Sequence, residues 1–214
     1  MTLFDTLDWR QFIDDYPGMR LWPQPGDVLG LRGDFAFRAQ LSGKPVVTDQ
    51  YELSILVPNV FPRDIPCVRE IAERIPADGK HHRNADGTLC LGAPLRLLVN
   101  MTKKPTLVGF AENCIIPYLY AMSRNLNEGI PFVFGELEHG VLGELSDYAE
   151  LLGVKNPAQA RMAVHLLGMK ERCANKQPCP CGCGQRLGKC EFRLRLSKIR
   201  DLAPLNWFRK LAKK

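Results

Sequence analysis

The sequence lacks the long apolar runs of membrane-spanning helices, since no hydrophobic stretch approaches the roughly 20 residues that such a helix needs. It begins MTLFDTLDW, with acidic residues where a secretory signal has a basic segment followed by an apolar one. It also has no glycine-rich motif of the kind that cradles nucleotide phosphates. These absences predict a cytoplasmic protein with no membrane partner and no adenylating chemistry of its own.

The positive charge of the chain is concentrated near its end. The formal net charge is +6, from 29 Lys and Arg against 23 Asp and Glu. Ten of these basic residues and two of the acids lie from Arg186 onward, so the preceding part is almost neutral. A basic tail attracts polyanions or acidic protein faces without sequence specificity, and a solvated surface helix explains it more simply. We expect no specific nucleic-acid partner.

Apolar periodicity predicts an α+β fold. The chain of 214 residues is long enough for one full domain and a small appendage. Period-two alternation with tight turns predicts an antiparallel β-meander from LRGDFAFRAQL, VVTDQYELSILVP and PCVREI. Helical spacing predicts a short helix within residues 3–16, one in PTLVGFAENCIIPYLYAMSRNL that Pro117 would disturb, and two more in VLGELSDYAELLG and NPAQARMAVHLLGMK, the last capped by Asn156.

The stretch IPADGKHHRNADGTLCLG has no periodicity and predicts a long loop, which is the kind of segment that commonly carries function. Cys90 closes this loop, with His82, Asn84 and Gly87 eight, six and three residues before it. A thiolate can attack an activated carbonyl, an amide can stabilise the oxyanion, and a histidine can orient the loop or shift the thiol's ionisation. The set suits acyl transfer, whereas a cysteine taken alone is more simply an inert buried side chain.

The order of these motifs resembles the ubiquitin-conjugating enzymes, especially their prokaryotic relatives, over roughly residues 28–152. The matching elements are the strand from Tyr51 to Pro58, Val60-Phe61-Pro62 with Pro66, His82-Arg83-Asn84, Gly87-Thr88-Leu89-Cys90-Leu91, and a later stretch with Glu138-His139-Gly140. The resemblance implies a ubiquitin-conjugating-enzyme-like domain over residues 1–155, built from a β-meander packed with helices. It also implies a transferase that carries a protein C-terminus as a thioester.

Residue by residue, Cys90 matches the thioester-forming cysteine of that family. Asn84 matches an asparagine that either stabilises the oxyanion or braces the loop, and His82 matches a histidine of structural role. Two features depart from the family pattern: Arg83 replaces its central proline, and the Asn84–Cys90 spacing follows the prokaryotic relatives rather than the eukaryotic enzymes.

The resemblance also implies partners, namely a protein cargo with a free C-terminus and a protein acceptor. Prokaryotic relatives act in antiphage (CBASS-type) defence beside a cyclic-oligonucleotide synthase. The implied cargo is therefore a bacterial cyclic GMP-AMP-synthase-like nucleotidyltransferase, which is either activated by a separate enzyme or delivered by a different route.

Five of the eight cysteines crowd into the 18 residues from Cys173 to Cys190. In a reducing compartment such a cluster indicates metal binding more than disulfides, and zinc takes four thiolate or imidazole ligands. The run Cys-Pro-Cys-Gly at 179–182 followed by Cys190 resembles the SEC-C motif, which implies structural zinc in a module over residues 156–214. We predict the ligands Cys173, Cys179, Cys181 and Cys190, with Cys183 or Glu191 as the alternative fourth ligand and metal-free thiols as the remaining possibility.

Two other functions compete with the transferase. One is a docking module with the same fold and zinc knuckle but no turnover. The other is a nucleic-acid binder, which would show steep salt dependence and indifference to Cys90 substitution and would use Arg193, Arg195, Lys198 and Arg200.

Overall fold

The structure, a computed structural model, describes residues 8–41, 43–78, 80–84, 86–132 and 141–213. These residues form an α+β fold around a four-stranded antiparallel sheet, in which the strands lie side by side in chain order. This arrangement confirms the predicted β-meander. The strands are β1 (Met19–Trp22), β2 (Val28–Gln40), β3 (Val46–Pro58) and β4 (Cys67–Glu70).

The central pair of strands shows why the sequence alternates. Phe35 and Phe37 on β2 are buried, as are Tyr51 and Leu53 on β3, while the residues between them are more exposed. The register places Phe35 opposite Tyr51, and the Phe37 and Tyr51 rings lie 6.5 Å apart between centroids. Because side chains alternate between the two faces of a sheet, this pattern buries one face of the meander.

The other regular elements of the described residues are helices. Within the described residues, no helix combines the length and the apolar character needed to cross a membrane. In chain order the helices are α1 (Trp9–Asp15), α2 (Pro94–Met101), α3 (Leu107–Phe110), α4 (Ile116–Glu128), α5 (Val141–Leu152), α6 (Pro157–Leu167), α7 (Glu171–Ala174), α8 (Phe192–Arg200) and α9 (Leu205–Leu211), with a 3₁₀ turn at Leu187–Lys189.

The predicted disturbance at Pro117 takes the form of a π-helical turn. That turn, Ala111–Ile115, joins α3 to α4, and Pro117 is the second residue of α4. Proline lacks an amide hydrogen, and its ring crowds the carbonyl four residues earlier, so a wider turn just before it keeps the helical run unbroken. The side chain of Asn113 within the turn donates to the carbonyl of Gly109 at 2.8 Å.

Contacts divide the chain into two compact units, Met1–Gly92 with Asn100–Gly135 and Ala93–Val99 with Glu136–Lys214. In the first, α4 is tied to the sheet by the hydroxyls of Tyr51 and Ser123, which lie 3.0 Å apart. In the second, Asn156 caps α6 as predicted, accepting from the amide of Gln159 at 3.0 Å. The domain boundary near residue 155 stays a prediction.

The two tail helices of the second unit each bury an apolar side. Leu196 and Ile199 of α8 are buried, as are Phe208 and Leu211 of α9. The guanidinium of Arg200 donates to three carbonyl groups at the end of α6, at distances between 2.7 and 3.0 Å. Part of the positive charge of the tail therefore serves to cap a helix.

Candidate functional site

Cys90 lies on a short hairpin at the end of the loop that the sequence singled out. Its amide donates to the carbonyl of His82 at 2.7 Å, and the amide of Asn84 donates to the carbonyl of Thr88 at 2.8 Å. A β-bridge between Arg83 and Leu89 lies between these two bonds. These bonds fix the backbone of Cys90, and the residue as a whole is half-buried.

The hairpin is attached to the sheet at β4. The amide of Leu89 donates to the carbonyl of Val68 at 2.8 Å, and Thr88 forms a β-bridge with Arg69. Leu89 is buried against the core. The residues directly before Cys90 thus extend the sheet, which fixes the backbone that leads into Cys90.

Asn84 is exposed, and its side chain acts within the hairpin. Its amide nitrogen Nδ2 donates to Thr88 Oγ1 at 2.9 Å, and that hydroxyl donates to Asp86 Oδ1 at 2.6 Å. The turn between them needs Gly87, whose φ of +82° lies in the left-handed region that glycine adopts at low cost. This contact is the one that loop bracing requires, while the oxyanion role of Asn84 stays a prediction.

The segment that opposes Cys90 holds His81 and His82. His82 has a φ of +50°, and the edge of its ring packs against Phe132 with centroids 4.6 Å apart. The Nδ1 atom of His81 lies 2.8 Å from Asp78 Oδ1, so this histidine is paired rather than simply solvated. The carbonyl of His81 accepts a hydrogen bond from the hydroxyl of Tyr118 at 2.9 Å.

Sequence reasoning missed Tyr118, because it lies 37 residues from His81 in an ordinary helical pattern. Burial, and after it the electrostatic effect of the nearby Cys90, raise the pKa of Tyr118 far above its ordinary value. Its hydroxyl therefore stays protonated and able to donate. Its place in the helix gave no local signal of this contact.

Arg83 also braces the loop. Its guanidinium donates to the carbonyl of Ile75 at 2.8 Å, and its buried Nε meets no hydrogen-bond partner among the described residues. The arginine thereby ties the hairpin to the segment that follows β4.

The two other cysteines of the first unit differ from Cys90. Cys114 is buried, and burial raises its pKa to about 12. Burial also raises the pKa of Cys67, which lies half-buried on β4. Both shifts favour the neutral thiol, which is less reactive than the thiolate. Glu138, His139 and Gly140 lie outside the described residues.

A second cluster of reactive groups lies in the second unit. The sulfur atoms of Cys179, Cys181, Cys183 and Cys190 all lie within 4.8 Å of one another, and all four cysteines are free. A tetrahedral zinc ion with Zn–S bonds of about 2.3 Å places its ligand sulfurs about 3.8 Å apart. The Cys181 and Cys190 sulfurs are 3.7 Å apart, and those of Cys179 and Cys181 are 3.2 Å apart. Four thiol groups at these distances can hold a metal ion, and zinc fits them.

The backbone around this cluster is a small knuckle. Pro178 and Arg186 form an antiparallel bridge, and the amide of Cys179 donates to the carbonyl of Gln185 at 2.8 Å. The intervening turn uses Gly182 and Gly184 at φ values of +82° and +76°. The 3₁₀ turn then presents Cys190, whose sulfur accepts from the amide of Phe192 at 3.5 Å.

The structure does not bring all the predicted ligands together. Cys179, Cys181 and Cys190 meet, and the fourth sulfur beside them belongs to Cys183. Cys173 is exposed on α7 and lies outside the group, as does Glu191. Hydrogen bonds from the amide of Gln185, and after it from Cys181, lower the pKa of Cys183 to about 7, which favours the thiolate that metals bind.

Comparisons with protein-family models, with curated proteins and with solved structures found no match to this chain. The chemistry of the two cysteine sites therefore carries the information on function.

Proposed function

We propose that this protein is a cysteine-dependent acyltransferase of the ubiquitin-conjugating type, which carries a protein C-terminus as a thioester on Cys90. The observation that carries the proposal is the half-buried thiol of Cys90, held on a hairpin by the carbonyl of His82 and joined to the sheet through Leu89. Cys114 is buried, and Cys67, although half-buried like Cys90, lies within strand β4 rather than at the end of a loop. A fixed nucleophile lowers the entropy cost of reaching the attacking geometry.

The chemistry has two steps. The Cys90 thiolate attacks the carbonyl carbon of an activated C-terminal carboxyl, so that an S–C bond forms and the bond to the activating group breaks. An amine of the acceptor then attacks the thioester carbonyl, so that a C–N bond forms, the S–C bond breaks and the thiolate is restored. The amine loses its proton to solvent. Activation is supplied by a separate enzyme.

The cargo and acceptor belong to the same proposal. We infer a protein cargo with a free C-terminus, of the cyclic GMP-AMP-synthase-like nucleotidyltransferase kind, within antiviral defence. The support for this partner is the resemblance of the motifs around Tyr51, Asn84 and Cys90 to the prokaryotic conjugating enzymes.

The test is intact mass and non-reducing gel analysis of the chain expressed with its genomic neighbours. Wild type should form a hydroxylamine-sensitive adduct, and Cys90→Ser should form a hydroxylamine-resistant ester with the same added mass. Cys67→Ser is the matched control, because it alters a half-buried cysteine of the same unit and should leave the adduct intact. Absence of any adduct, with partner binding unchanged in Cys90→Ala, would replace the transferase with a docking module.

We further propose that zinc at Cys179, Cys181, Cys183 and Cys190 is structural. The knuckle from Pro178 to Cys190 is short, so metal binding would supply part of its folding free energy. The support is the spacing of the four sulfurs, together with the amide of Phe192 that donates to the Cys190 sulfur. A filled set of four protein ligands leaves no open position for substrate, which suits a structural rather than a catalytic ion.

A further inference from the structure

The carbonyl groups of His81 and His82 receive hydrogen bonds from two different elements. His81 accepts from the Tyr118 hydroxyl of α4 at 2.9 Å, and His82 accepts from the Cys90 amide at 2.7 Å. These two acceptors belong to consecutive peptide units. Any movement of this dipeptide away from α4 therefore pulls on the bond that holds Cys90.

The dipeptide has a conformation that needs support. His82 has a φ of +50°, in the left-handed region that residues with a Cβ disfavour. Its ring packs edge-on against Phe132, and Asp78 accepts from the amides of Lys80 and His81 at 2.9 and 3.3 Å. Asp78 is on the surface, whereas Tyr118 is buried, so the tyrosine provides the anchor that water competes with least.

We propose that Tyr118 is a positioning residue for Cys90, which acts through the His81–His82 peptide and fixes the thiol in its reactive place. The inference rests on the proposed transferase function, because positioning of Cys90 has a role only if its thiol reacts. The hydrogen bonds themselves do not depend on any cargo. Tyr118 does not itself take part in the chemistry. Its hydroxyl is used by the His81 carbonyl, and its contribution is to keep the hairpin closed.

The same helix supplies a matched control. Tyr120 lies two residues further along α4, is also buried, and donates its hydroxyl to the carbonyl of Pro45 at 2.8 Å. Tyr118→Phe and Tyr120→Phe each remove one hydroxyl and one bond to a backbone carbonyl. Only the first of these carbonyls belongs to the segment that holds Cys90.

The experiment measures amide hydrogen exchange at Cys90 and iodoacetamide alkylation of its thiol in the purified full chain. Tyr118→Phe should speed exchange at Cys90 by about tenfold and speed alkylation, because the hairpin opens more often. It should also slow adduct formation while leaving the affinity for cargo unchanged. Tyr120→Phe should match wild type in all three. Equal exchange at Cys90 in the two variants would overturn the inference.

A second measurement separates positioning from general loss of stability. Tyr118→Phe and Tyr120→Phe each lose one hydroxyl bond to a backbone carbonyl, so the second variant should lose global stability to a similar extent in denaturant unfolding. The tenfold effect at Cys90 should nevertheless belong to Tyr118→Phe alone. An increase in Cys90 exchange that merely follows the loss of global stability in both variants would contradict the inference. Exchange and alkylation require no cargo. If the chain forms no thioester, the transferase proposal is wrong, but these two measurements still test the role of Tyr118.

Discussion

Asn84 and Thr88 are joined by a side-chain hydrogen bond of 2.9 Å, in which the amide of Asn84 donates to the hydroxyl oxygen of Thr88. Thr88 lies two residues before Cys90, and its own hydroxyl donates to Asp86 at 2.6 Å. The turn at the tip of the hairpin is thus closed by a short chain of side-chain bonds. Because of these bonds, an experiment can distinguish loop bracing by Asn84 from oxyanion stabilisation by Asn84.

If Asn84 braces the loop, Asn84→Ala and Thr88→Val remove the same interaction. Each should slow formation of the Cys90 adduct by about three- to tenfold, and the double variant should be little slower than either single one. The measurement is the rate of adduct formation in a double-mutant cycle. A loss of about a hundredfold or more in Asn84→Ala, with Thr88→Val close to wild type, would instead assign Asn84 to the oxyanion.

The fourth sulfur of the cysteine cluster gives a second prediction. Cys183→Ser should lower zinc stoichiometry and should lower the thermal midpoint of unfolding, because it removes one of the four grouped ligands. Cys173→Ser is the control, since that cysteine lies outside the group and its loss should leave one zinc ion per chain. Native mass spectrometry measures the stoichiometry, and cobalt substitution reports the number of thiolates.

The reverse result, with zinc lost from Cys173→Ser and retained by Cys183→Ser, would restore the ligand set expected from the sequence. Removal of metal with a chelator should in addition increase hydrogen exchange in the knuckle between Pro178 and Cys190. A chain that exchanges identically with and without chelator would show that no structural ion is bound.

The sequence predicts those parts of the fold that depend on interactions between residues close together in the chain. Period-two alternation located Tyr51 and Leu53 on the buried face of β3, and the Asn-Pro pair at 156–157 located the start of α6, because both signals are local. Helix α2 (Pro94–Met101) was not predicted, since its eight residues offer little more than two turns of periodicity.

The sequence predicted which residues form the candidate site, but it did not predict which residues support them. The motif Gly87-Thr88-Leu89-Cys90 is contiguous, so it identified the loop. The hydroxyl of Tyr118 reaches that loop from 37 residues away, and no spacing rule connects the two. The choice between Cys173 and Cys183 likewise depended on which side chain the knuckle turns towards the other sulfurs, which sequence order does not specify.

The ion pair of Asp49 and Arg74 gives a prediction on pH. Both terminal nitrogens of Arg74 donate to the carboxylate, at 2.7 and 2.8 Å. Burial alone would raise the pKa of Asp49, but the bonds from Arg74 and from the amide of Gln50 hold it below its ordinary value. A folded-state pKa below the unfolded value means that this stabilisation is complete above the unfolded pKa and is lost as pH falls through the folded one.

Wild type should therefore exceed Asp49→Asn in free energy of unfolding by about 1 kcal/mol at neutral pH, and the difference should shrink below about pH 4. Denaturant unfolding of both proteins across this range provides the measurement. Asp15→Asn, at the exposed end of α1, is the comparison variant, because the Asp15 carboxylate accepts from the side-chain amide of Gln11 at 2.8 Å. A difference between wild type and Asp49→Asn that grows with acidity would contradict the assignment.

The last prediction concerns Arg200, whose charge has a structural role, whereas other basic residues of the tail are exposed. Its guanidinium donates to the carbonyls of Leu166, Leu167 and Met169, at the end of α6. Arg200→Ala leaves these carbonyls without their charged donor, so unfolding of the second unit should become easier by about 2 kcal/mol. Arg200→Lys should recover only part of this, since an ammonium lacks the planar fork that reaches three acceptors.

Arg193 on the same helix is the matched control. It is exposed, and Arg193→Ala should change the free energy of unfolding by less than about 0.5 kcal/mol. Thermal and denaturant unfolding compare the variants, and binding to a duplex oligonucleotide at several salt concentrations tests the competing nucleic-acid function. If Arg200→Ala is as stable as wild type, Arg200 does not cap α6. If both alanine variants also bind the oligonucleotide more weakly, these arginines bind a polyanion instead.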